Sequence, residues 1–227
     1  MTTSMGLVFC YNPDMKLLLT SAGLRNKTIV QSLQDLVEKP FAELSVAFIP
    51  TAANIENGDK SWLMEDLVAV HQLGWKSFDI VDISALSEEV IRRRLEVVDV
   101  VVVGGGNTYH IMSWINKTYI QELLSSKIYV GISAGSMITT KEVQFGWDRD
   151  IYDEEIAVDK GKGLGLVNFH IFPHLNSHDF PKANMSEIEH ITQNTGDTIY
   201  AIDNDTAIVV VDGEIRIVSE GQWEKIN

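Results

Sequence analysis

One serine of the sequence stands in a pattern that is typical of catalytic nucleophiles. Ser133 is the central residue of Gly131–Gly135 (GISAG), which follows an apolar segment of strand length and precedes a segment that we expect to be helical. Small residues on both sides let the chain turn sharply, so that the serine projects over the carboxyl end of a sheet. The backbone N–H of Ala134 points at the same space and can stabilise an oxyanion. The pattern predicts a nucleophile elbow; the alternative is a tight turn built from small residues.

A second glycine-rich turn follows another apolar segment. Gly104–Asn107 (GGGN) comes directly after Val97–Val103, which is almost continuously β-branched. Glycines let the backbone approach a ligand closely and point N–H groups into a site. The turn is not a phosphate-binding P-loop, because no Gly-Lys-Ser/Thr follows, and its spacing is not that of a dinucleotide fingerprint. Ligands of α/β proteins bind at the carboxyl ends of central strands, so we expect both glycine turns to border one crevice. The alternative is a flexible turn without a ligand.

A nucleophilic serine needs a base, and the sequence has six histidines. His174 is the preferred candidate, because Pro173 ends an apolar strand and leaves His174 on the functional side of the sheet. His110, in the helix after the glycine loop, is the second candidate. His170, His174 and His178 have the spacing of metal ligands on one helix face, but Pro173 interrupts any helix there. We therefore predict no metal site.

The elements that must position these residues alternate along the first part of the chain. Apolar segments of strand length alternate with segments whose apolar residues have helical spacing. This alternation predicts a parallel sheet with helices on both faces. The expected strands are Lys16–Thr20, Ser45–Ile49, Ser77–Ile83, Val97–Val103 and Lys127–Ile132. The expected helices are Asn26–Glu38, Asp59–Leu73, Glu88–Leu95 and Thr108–Leu124, the last with an interruption near Asn116.

The second part of the chain is less regular. Residues 148–165 are polar and rich in acidic residues and glycine, and we expect a long surface excursion there. Ser186 and Glu189 form a capping box that opens a helix. The strands Ile199–Ile202, Ala207–Val211 and Glu214–Val218 follow, and the hairpin turn Asp212-Gly213 joins the last two. We therefore predict a single α/β domain over residues 1–227, with three layers, a mostly parallel sheet and antiparallel strands at its C-terminal end.

Composition and charge exclude several classes of function. The chain has 227 residues, of which 45% are hydrophobic and 22% charged, as in ordinary globular domains. A net charge of −14 disfavours nucleic acid and anionic membranes as partners. No apolar segment approaches the roughly 20 residues of a membrane span, and the N-terminus lacks the features of a signal peptide. The single cysteine, Cys10, allows no internal disulfide. We expect a cytoplasmic protein.

Four motifs, taken in order, resemble the peptidase E (S51) family of serine peptidases, which includes aspartyl dipeptidase and the cyanophycinases. They are GGGNT after one strand, GISAGS after another, FPH about 40 residues later and AIDNDTAIV near the C-terminus. The resemblance extends from about Lys16 to Val218. It implies a class I glutamine-amidotransferase-like fold, which is flavodoxin-like, and a serine-type peptidase.

The resemblance also implies roles for individual residues. Ser133 takes the position of the family's nucleophile, and His174 takes that of its base. The glycine loop, here Gly105 and Gly106, is expected to complete the oxyanion hole with Ala134. The predicted substrate-binding residues are Asn107 and Gly135.

The sequence departs from the family at the third member of the triad. The family usually carries Glu or Asp where Asn204 aligns. An asparagine can still orient the imidazole by accepting from its N–H, but it stabilises imidazolium less than a carboxylate does. Asp203 and Asp205 flank the aligned position, and another version of the family pattern places an acidic residue at Asp148. Our order of preference is Asn204, then Asp205, then Asp148.

The predicted substrate is a small peptide. The family implies a preference for an acidic N-terminal residue, which needs a basic contact, and Arg149 and Lys162 are the candidates for it. The acidic residues of the excursion favour a basic substrate equally well. We predict no metal and no organic cofactor, and a monomer or homodimer.

Two other functions are compatible with the sequence. An α/β-hydrolase acting on esters would use the order Ser133, Asp148, His174, although a helix and three strands still follow the histidine, which in that fold lies near the C-terminus. A catalytically weak member of the family would bind a peptide or a small metabolite, and Asn204 motivates this hypothesis. A glutaminase is disfavoured because its nucleophile would be a cysteine, and Cys10 is far from the elbow.

Overall fold

A computed structural model describes residues 15–227 of the chain. Cys10 and the rest of the N-terminal segment, on which the expectations about disulfides and signal peptides rest, lie outside the described residues. The first part alternates strand and helix as predicted. Its strands are β1 (Lys16–Thr20), β2 (Ser45–Ile49), β3 (Ser77–Ile80), β4 (Val100–Val103) and β5 (Ile128–Ile132). Its α-helices are α1 (Lys27–Val37), α2 (Ser61–His71), α3 (Glu88–Glu96), α4 (Thr108–Thr118) and α5 (Gln121–Ser125), and short 3-10 helices cover Phe41–Glu43 and Thr51–Ile55.

The second part contains shorter elements. Its helices are α6 (Ala134–Met137), α7 (Phe145–Tyr152) and α8 (Met185–Thr192). Its strands are β6 (Glu142–Val143), β7 (Gly161–Lys162), β8 (Phe169–Phe172), β9 (Thr198–Ile202), β10 (Thr206–Val211), β11 (Glu214–Ser219) and β12 (Trp223–Ile226). Within residues 15–227, no helix is long and apolar enough to cross a membrane.

A seven-stranded sheet forms the centre of the described residues, in the order β11-β10-β1-β5-β4-β2-β3. The five neighbouring strands β1, β5, β4, β2 and β3 are parallel to one another, as the alternation of strands and helices predicts. β10 is antiparallel to β1, and β11 pairs with β10 through the predicted hairpin at Asp212 and Gly213, both of which have positive φ. The carboxyl ends of β1, β5 and β4 therefore lie side by side at one edge.

Helices cover both faces of this sheet, because the central strands are apolar on both faces. On one face, Leu18 and Val102 pack with Ile29 and Leu33 of α1, and α2 covers the same face. On the other face, residues of α3, α4 and α5 pack against the alternate strand residues, which include Tyr129 of β5. The predicted three-layer α/β fold with a mostly parallel sheet is confirmed.

Two of the predicted strands, the one that ends before Pro173 (β8) and Ile199–Ile202 (β9), lie outside this sheet. β9 instead forms a second sheet with β8, to which it is parallel, and with β12, to which it is antiparallel. This arrangement gives β8 a parallel partner and buries Phe172 against Ile188 of α8 and Ile199 of β9. The strands β6 and β7 pair only with each other among the described residues.

Three local predictions also need correction. The N-cap of α8 is Asn184, whose side chain accepts from the N–H of Glu187, so Ser186 lies inside the helix and opens no capping box. The interruption between α4 and α5 falls at Tyr119, which has a φ of +49°, and not near Asn116. The expected excursion over residues 148–165 begins inside α7, where Ile151 is buried in the core of the second sheet.

Candidate active site

Ser133 lies in a strained turn between β5 and α6. Its backbone has a φ of +48° and a ψ of −111°, which few residues other than glycine adopt. A Cβ atom at Gly131 would lie 2.7 Å from the carbonyl oxygen of Gly135, and one at Gly135 would lie 2.0 Å from that of Val103. Neither position can accept a side chain, which explains the spacing of the GISAG pattern. Such a backbone costs on the order of 1–3 kcal/mol and is held by the surrounding structure.

Strand β1 holds this turn in place. The N–H of Ser133 donates to the carbonyl oxygen of Thr20 over 3.1 Å, and the hydroxyl of Ser136 donates to the same oxygen over 2.8 Å. The Thr20 hydroxyl donates to the carbonyl of Gly131 over 2.8 Å. The buried Tyr129 hydroxyl donates to the carbonyl of Gly135 over 2.6 Å. These bonds fix the elbow from both sides, and Ser136 has the local hydrogen-bonding role of a structural residue.

His174 places its imidazole against the serine. Its Nε2 lies 2.9 Å from Ser133 Oγ. The residue follows β8 and has a φ of +63°, and its N–H donates to Ser21 Oγ over 2.7 Å. The ring stacks on Phe180 with centroids 4.5 Å apart, and the next residue, Leu175, donates its N–H to Ile202 at the end of β9. The second sheet therefore delivers the imidazole to the elbow of the first.

Asn204 occupies the other side of the imidazole. Its Oδ1 lies 2.7 Å from His174 Nδ1, and the hydroxyl of Ser21 donates to the same oxygen over 3.4 Å. Two donors converge on this atom, which supports its assignment as the amide oxygen. The arrangement places the ring proton on Nδ1 and leaves Nε2 free to accept the proton of Ser133.

The imidazole of His174 is mostly buried, and burial is the main cause that lowers its pKa. The hydrogen bond to Asn204 and the charge of Asp179 act in the opposite direction, and Arg25 lowers the pKa further. The neutral form is thus favoured at physiological pH, which is the form that a general base needs.

The other two candidates for the third position lie elsewhere. Asp205 is exposed in the turn between β9 and β10, where its N–H donates to Asp203 Oδ1. Asp148 is buried in α7, but its Oδ2 accepts from the hydroxyl of Thr108 over 2.8 Å. Among the described residues, Asn204 is the side chain that hydrogen-bonds Nδ1 of His174. The Ser133–Asp148–His174 arrangement of an ester hydrolase is therefore not formed.

The other three candidate histidines, His110, His170 and His178, do not line the cavity that contains Ser133. The His110 ring lies beside Trp114, and burial lowers its pKa. His170 contacts Asp197 with its Nε2 over 3.4 Å, and the side chain of His178 is fully exposed. Within residues 15–227, no group of three or more potential metal ligands comes together.

The glycine loop lies against the elbow. The N–H groups of Gly104 and Asn107 donate to the carbonyls of Ile49 and Ala52, which anchors both ends of the loop. A Cβ atom at Gly105 would lie 3.3 Å from Ser133 Cβ, and one at Gly106, where φ is +120°, would lie 2.4 Å from the Ala52 carbonyl oxygen. The loop therefore brings its backbone next to the serine.

Asn107 and Gly135, the two predicted substrate-binding residues, are both buried. The Asn107 side chain is buried and caps α4, where Oδ1 accepts from the N–H of His110 over 2.9 Å. Gly135 is buried against Val103 behind the elbow. Neither residue lines the cavity in front of Ser133, which is bordered by Gly105 and Gly106.

This cavity has a volume of about 330 Å³. Ser133, His174 and Asn204 line it together with the aromatic residues Trp62, Tyr152 and Phe180. The charged side chains among its described lining residues are one guanidinium and five carboxylates: Arg25, Glu56, Glu65, Asp66, Glu154 and Asp179. Sequence reasoning pointed to one of these charged groups, Glu154, as part of the acidic excursion over residues 148–165. The other five come from separate loops and helices without a motif.

Burial raises the pKa of two of the carboxylates that line the cavity. It raises the pKa of Asp66 to about 7, against the attraction of Arg25. It also raises the pKa of Glu56, which Lys60 opposes. Arg149 and Lys162, the predicted basic contacts, are not in the cavity: Arg149 pairs with Asp159, and Lys162 lies in β7.

A larger groove of about 1100 Å³ opens elsewhere, between the strands β7 and β8 and the edge of the main sheet. His170 and Asp197 line it, but Ser133 and His174 do not. The smaller cavity is the candidate active site, because it holds the hydrogen-bonded serine, histidine and asparagine.

A family model for peptidase family S51 matches residues 17–218. The chain belongs to peptidase family S51. It is 28% identical over 179 residues to an uncharacterized peptidase of Pasteurella multocida, a match that covers 77% of this chain and 84% of the relative. An uncharacterized peptidase of Listeria innocua is 26% identical over 203 residues, a match that covers 85% of this chain and 95% of that relative. A peptidase E of a Nostoc species is 27% identical over 183 residues, with 76% and 72% covered.

Solved structures agree with the family S51 assignment. A crystal structure of a Listeria monocytogenes protein, provisionally named peptidase E, superposes with a TM-score of 0.75 at 25% identity, covering 92% of this chain and all of that one. A peptidase from an acI-B1 actinobacterium has the same fold, with a TM-score of 0.66 at 17% identity and 94% of each chain covered. The resemblance inferred from the four motifs is confirmed, and family S51 membership makes this chain a serine-type peptidase.

Proposed function

We propose that the chain hydrolyses small peptides through a covalent acyl-enzyme on Ser133. The observation that carries the proposal is the continuous hydrogen-bonded row from Ser133 Oγ through the imidazole to Asn204, with distances of 2.9 and 2.7 Å. In this row each group has the partner that its role requires: a nucleophile beside a base, and a base beside an acceptor that fixes its tautomer.

The chemistry follows from these contacts. Ser133 Oγ attacks the scissile carbonyl carbon while His174 Nε2 takes the hydroxyl proton, and the carbonyl oxygen becomes an oxyanion. When the tetrahedral intermediate collapses, the C–N bond breaks and the imidazolium gives its proton to the leaving amine. Water then attacks the ester, with His174 again as base, and releases the acid and Ser133.

Backbone N–H groups stabilise the oxyanion in this proposal. Ala134 opens α6 directly after the serine, so its N–H belongs to the first turn, where no intrahelical acceptor exists. Gly105 and Gly106 border the same cavity next to Ser133. Donors that are fixed before the reaction are typically worth about 3–4 kcal/mol each in the transition state.

The cavity limits the substrate to a small peptide. Its volume of about 330 Å³ is near the lower end for ligand pockets. A preference for an acidic first residue, which the family implies, would use Arg25, because this guanidinium lines the cavity.

The test is a screen of dipeptides and tripeptides that compares the unmodified chain with Ser133→Ala. We expect hydrolysis to be lost and the thermal unfolding temperature to stay nearly unchanged, since alanine fits the same turn. A fluorophosphonate probe should label the unmodified chain at Ser133 and leave the variant unlabelled.

Ser136→Ala is the matched control, because this neighbouring hydroxyl bonds to Thr20 and does not line the cavity. Activity that survives in Ser133→Ala and disappears in Ser136→Ala would overturn the assignment. A stable fold that binds peptides without fluorophosphonate labelling would instead support a binding protein.

A further inference from the structure

Glu154 is a partly buried carboxylate that lines the cavity of Ser133 and His174. It follows α7, and Thr108 at the start of α4 holds it. The N–H and the hydroxyl of Thr108 both lie 3.0 Å from Glu154 Oε2. Among the described residues, the hydrogen bonds that Glu154 accepts both end on Oε2. One oxygen is thus fixed by the fold, and the other is available to a ligand in the cavity.

The surroundings of Glu154 favour a cation. Asp148 lies behind it and shares the Thr108 hydroxyl, whose single proton can serve only one of the two carboxylates. Burial and the negative charge of Asp148 raise the pKa of Glu154 to about 8, and Glu56 adds to this effect. A bound cation would let Glu154 lose its proton and gain a charged partner.

We propose that Glu154 binds the protonated amino terminus of the peptide substrate. This inference rests on the proposed function and assigns the end of the peptide that enters the cavity. An α-ammonium group has three N–H donors and a pKa near 8, so it can pair with a carboxylate at neutral pH.

The size of the cavity sets the position of the cleavage. A sphere with the cavity's volume is about 9 Å across, and an extended chain advances ~3.5 Å per residue. A cavity of this width leaves room for at most two residues between an ammonium group at Glu154 and a carbonyl at Ser133. The enzyme would release a single residue or a dipeptide from a free amino terminus.

Binding measurements test the inference without turnover. In the Ser133→Ala background, we would measure the Kd of Ala-Ala-Ala and of N-acetyl-Ala-Ala-Ala by calorimetry. We expect acetylation to weaken binding by about 10–100-fold, because it removes the charge that pairs with Glu154. In Ser133→Ala/Glu154→Gln, the two peptides should bind within about threefold of each other.

Glu155→Gln is the matched control, because this adjacent carboxylate is exposed and does not line the cavity. It should keep the full discrimination between the two peptides. Equal binding of both peptides to Ser133→Ala, or binding of neither, would overturn the inference, as would an unchanged discrimination after Glu154→Gln.

Kinetics distinguish this failure from a failure of the proposed function. With serine present, Glu154→Gln should raise the KM of Ala-Ala-Ala by about tenfold or more and leave kcat within about threefold, because Glu154 does not touch the reacting atoms. A fall in kcat at constant KM would contradict a binding role. Turnover that persists in Ser133→Ala would refute the proposed mechanism, while the binding experiment would still report on Glu154.

Discussion

Replacing Asn204 by aspartate would add a negative charge where the chain has a neutral acceptor. Asparagine and aspartate have nearly the same shape, so the carboxylate should keep the 2.7 Å contact with His174 Nδ1. Ser21 is already placed to donate to the same oxygen, which gives the carboxylate a second partner. The substitution therefore changes the charge beside the imidazole with little change in geometry.

The expected gain in rate follows from the charge that His174 acquires. Two opposite charges about 4 Å apart attract by ~4 kcal/mol at an effective dielectric constant of about 20. The free enzyme has a neutral imidazole and the transition state has an imidazolium, so this attraction favours the transition state. The free energy of burying the carboxylate is present in both states and cancels in the rate, but it lowers the stability of the fold. Because solvent in the cavity weakens this attraction, we expect kcat/KM to rise by about 10–100-fold.

The pH profile of kcat/KM is the decisive assay. Hydrolysis needs the neutral imidazole, so activity falls as the pH drops through the pKa of His174. Burial holds that pKa below its usual value in the unmodified chain. The carboxylate of Asn204→Asp should raise it, and since one pKa unit corresponds to about 1.4 kcal/mol, the acid limb should move up by one unit or more.

Asn204→Ala is the complementary variant and should lower turnover, because the imidazole loses the acceptor that fixes its tautomer. Asp205→Asn is the control and should have little effect, since Asp205 is exposed. The argument fails if the acid limb does not move in Asn204→Asp and Asn204→Ala keeps full activity. Loss of activity in Asp205→Asn would require a different third residue.

Three further predictions test the fold and the chemistry of the site. Gly135→Ala should lower the free energy of unfolding by ~3 kcal/mol or more in denaturant titrations, because its Cβ would lie 2.0 Å from the Val103 carbonyl oxygen; a stable variant would contradict the packing. The folded-state pKa of Asp66, about 7, lies above its unfolded value, so the ionised group destabilises the fold as pH rises. Because the two pKa values differ by about three, Asp66→Asn should raise the free energy of unfolding by up to about 4 kcal/mol at pH 8 and change it little at pH 4, and an equal effect at both pH values would count against this cause. EDTA should leave peptide hydrolysis unchanged, and a loss that zinc restores would point to a metal site.

The sequence predicts the main sheet and the elbow because both depend on local signals. The run Val100–Val103 is apolar on both faces, which is typical of a central parallel strand. A Cβ atom at Gly131 would meet Gly135 within the turn itself, whereas one at Gly135 would meet Val103 of the neighbouring strand β4. Both requirements fall on fixed positions around the serine, so they appear as residue types at fixed spacing and can be recognised without coordinates.

Other features depend on contacts between distant segments and leave no such pattern. Glu154 resembles any acidic loop residue in the sequence, and only its bonds to Thr108, 46 positions away, distinguish it. The sequence does not single out Asn184 as the helix start, because Ser186 offers an equally good capping pattern two residues later. The apolar pattern of β9 suits either sheet, so the sequence does not indicate which sheet this strand joins.

Residues at the end of β1 hold together the serine, histidine and asparagine that come from two different sheets. Ser133 belongs to the main sheet, whereas His174 and Asn204 follow strands of the second sheet. The Thr20 carbonyl accepts from the N–H of Ser133, and the next side chain, Ser21, accepts from the N–H of His174 and donates to Asn204. Two consecutive residues therefore set the positions of all three groups relative to one another. Because neither of them takes part in the proposed chemistry, a catalytic motif search would pass over both, although the 2.9 Å contact between serine and histidine depends on them.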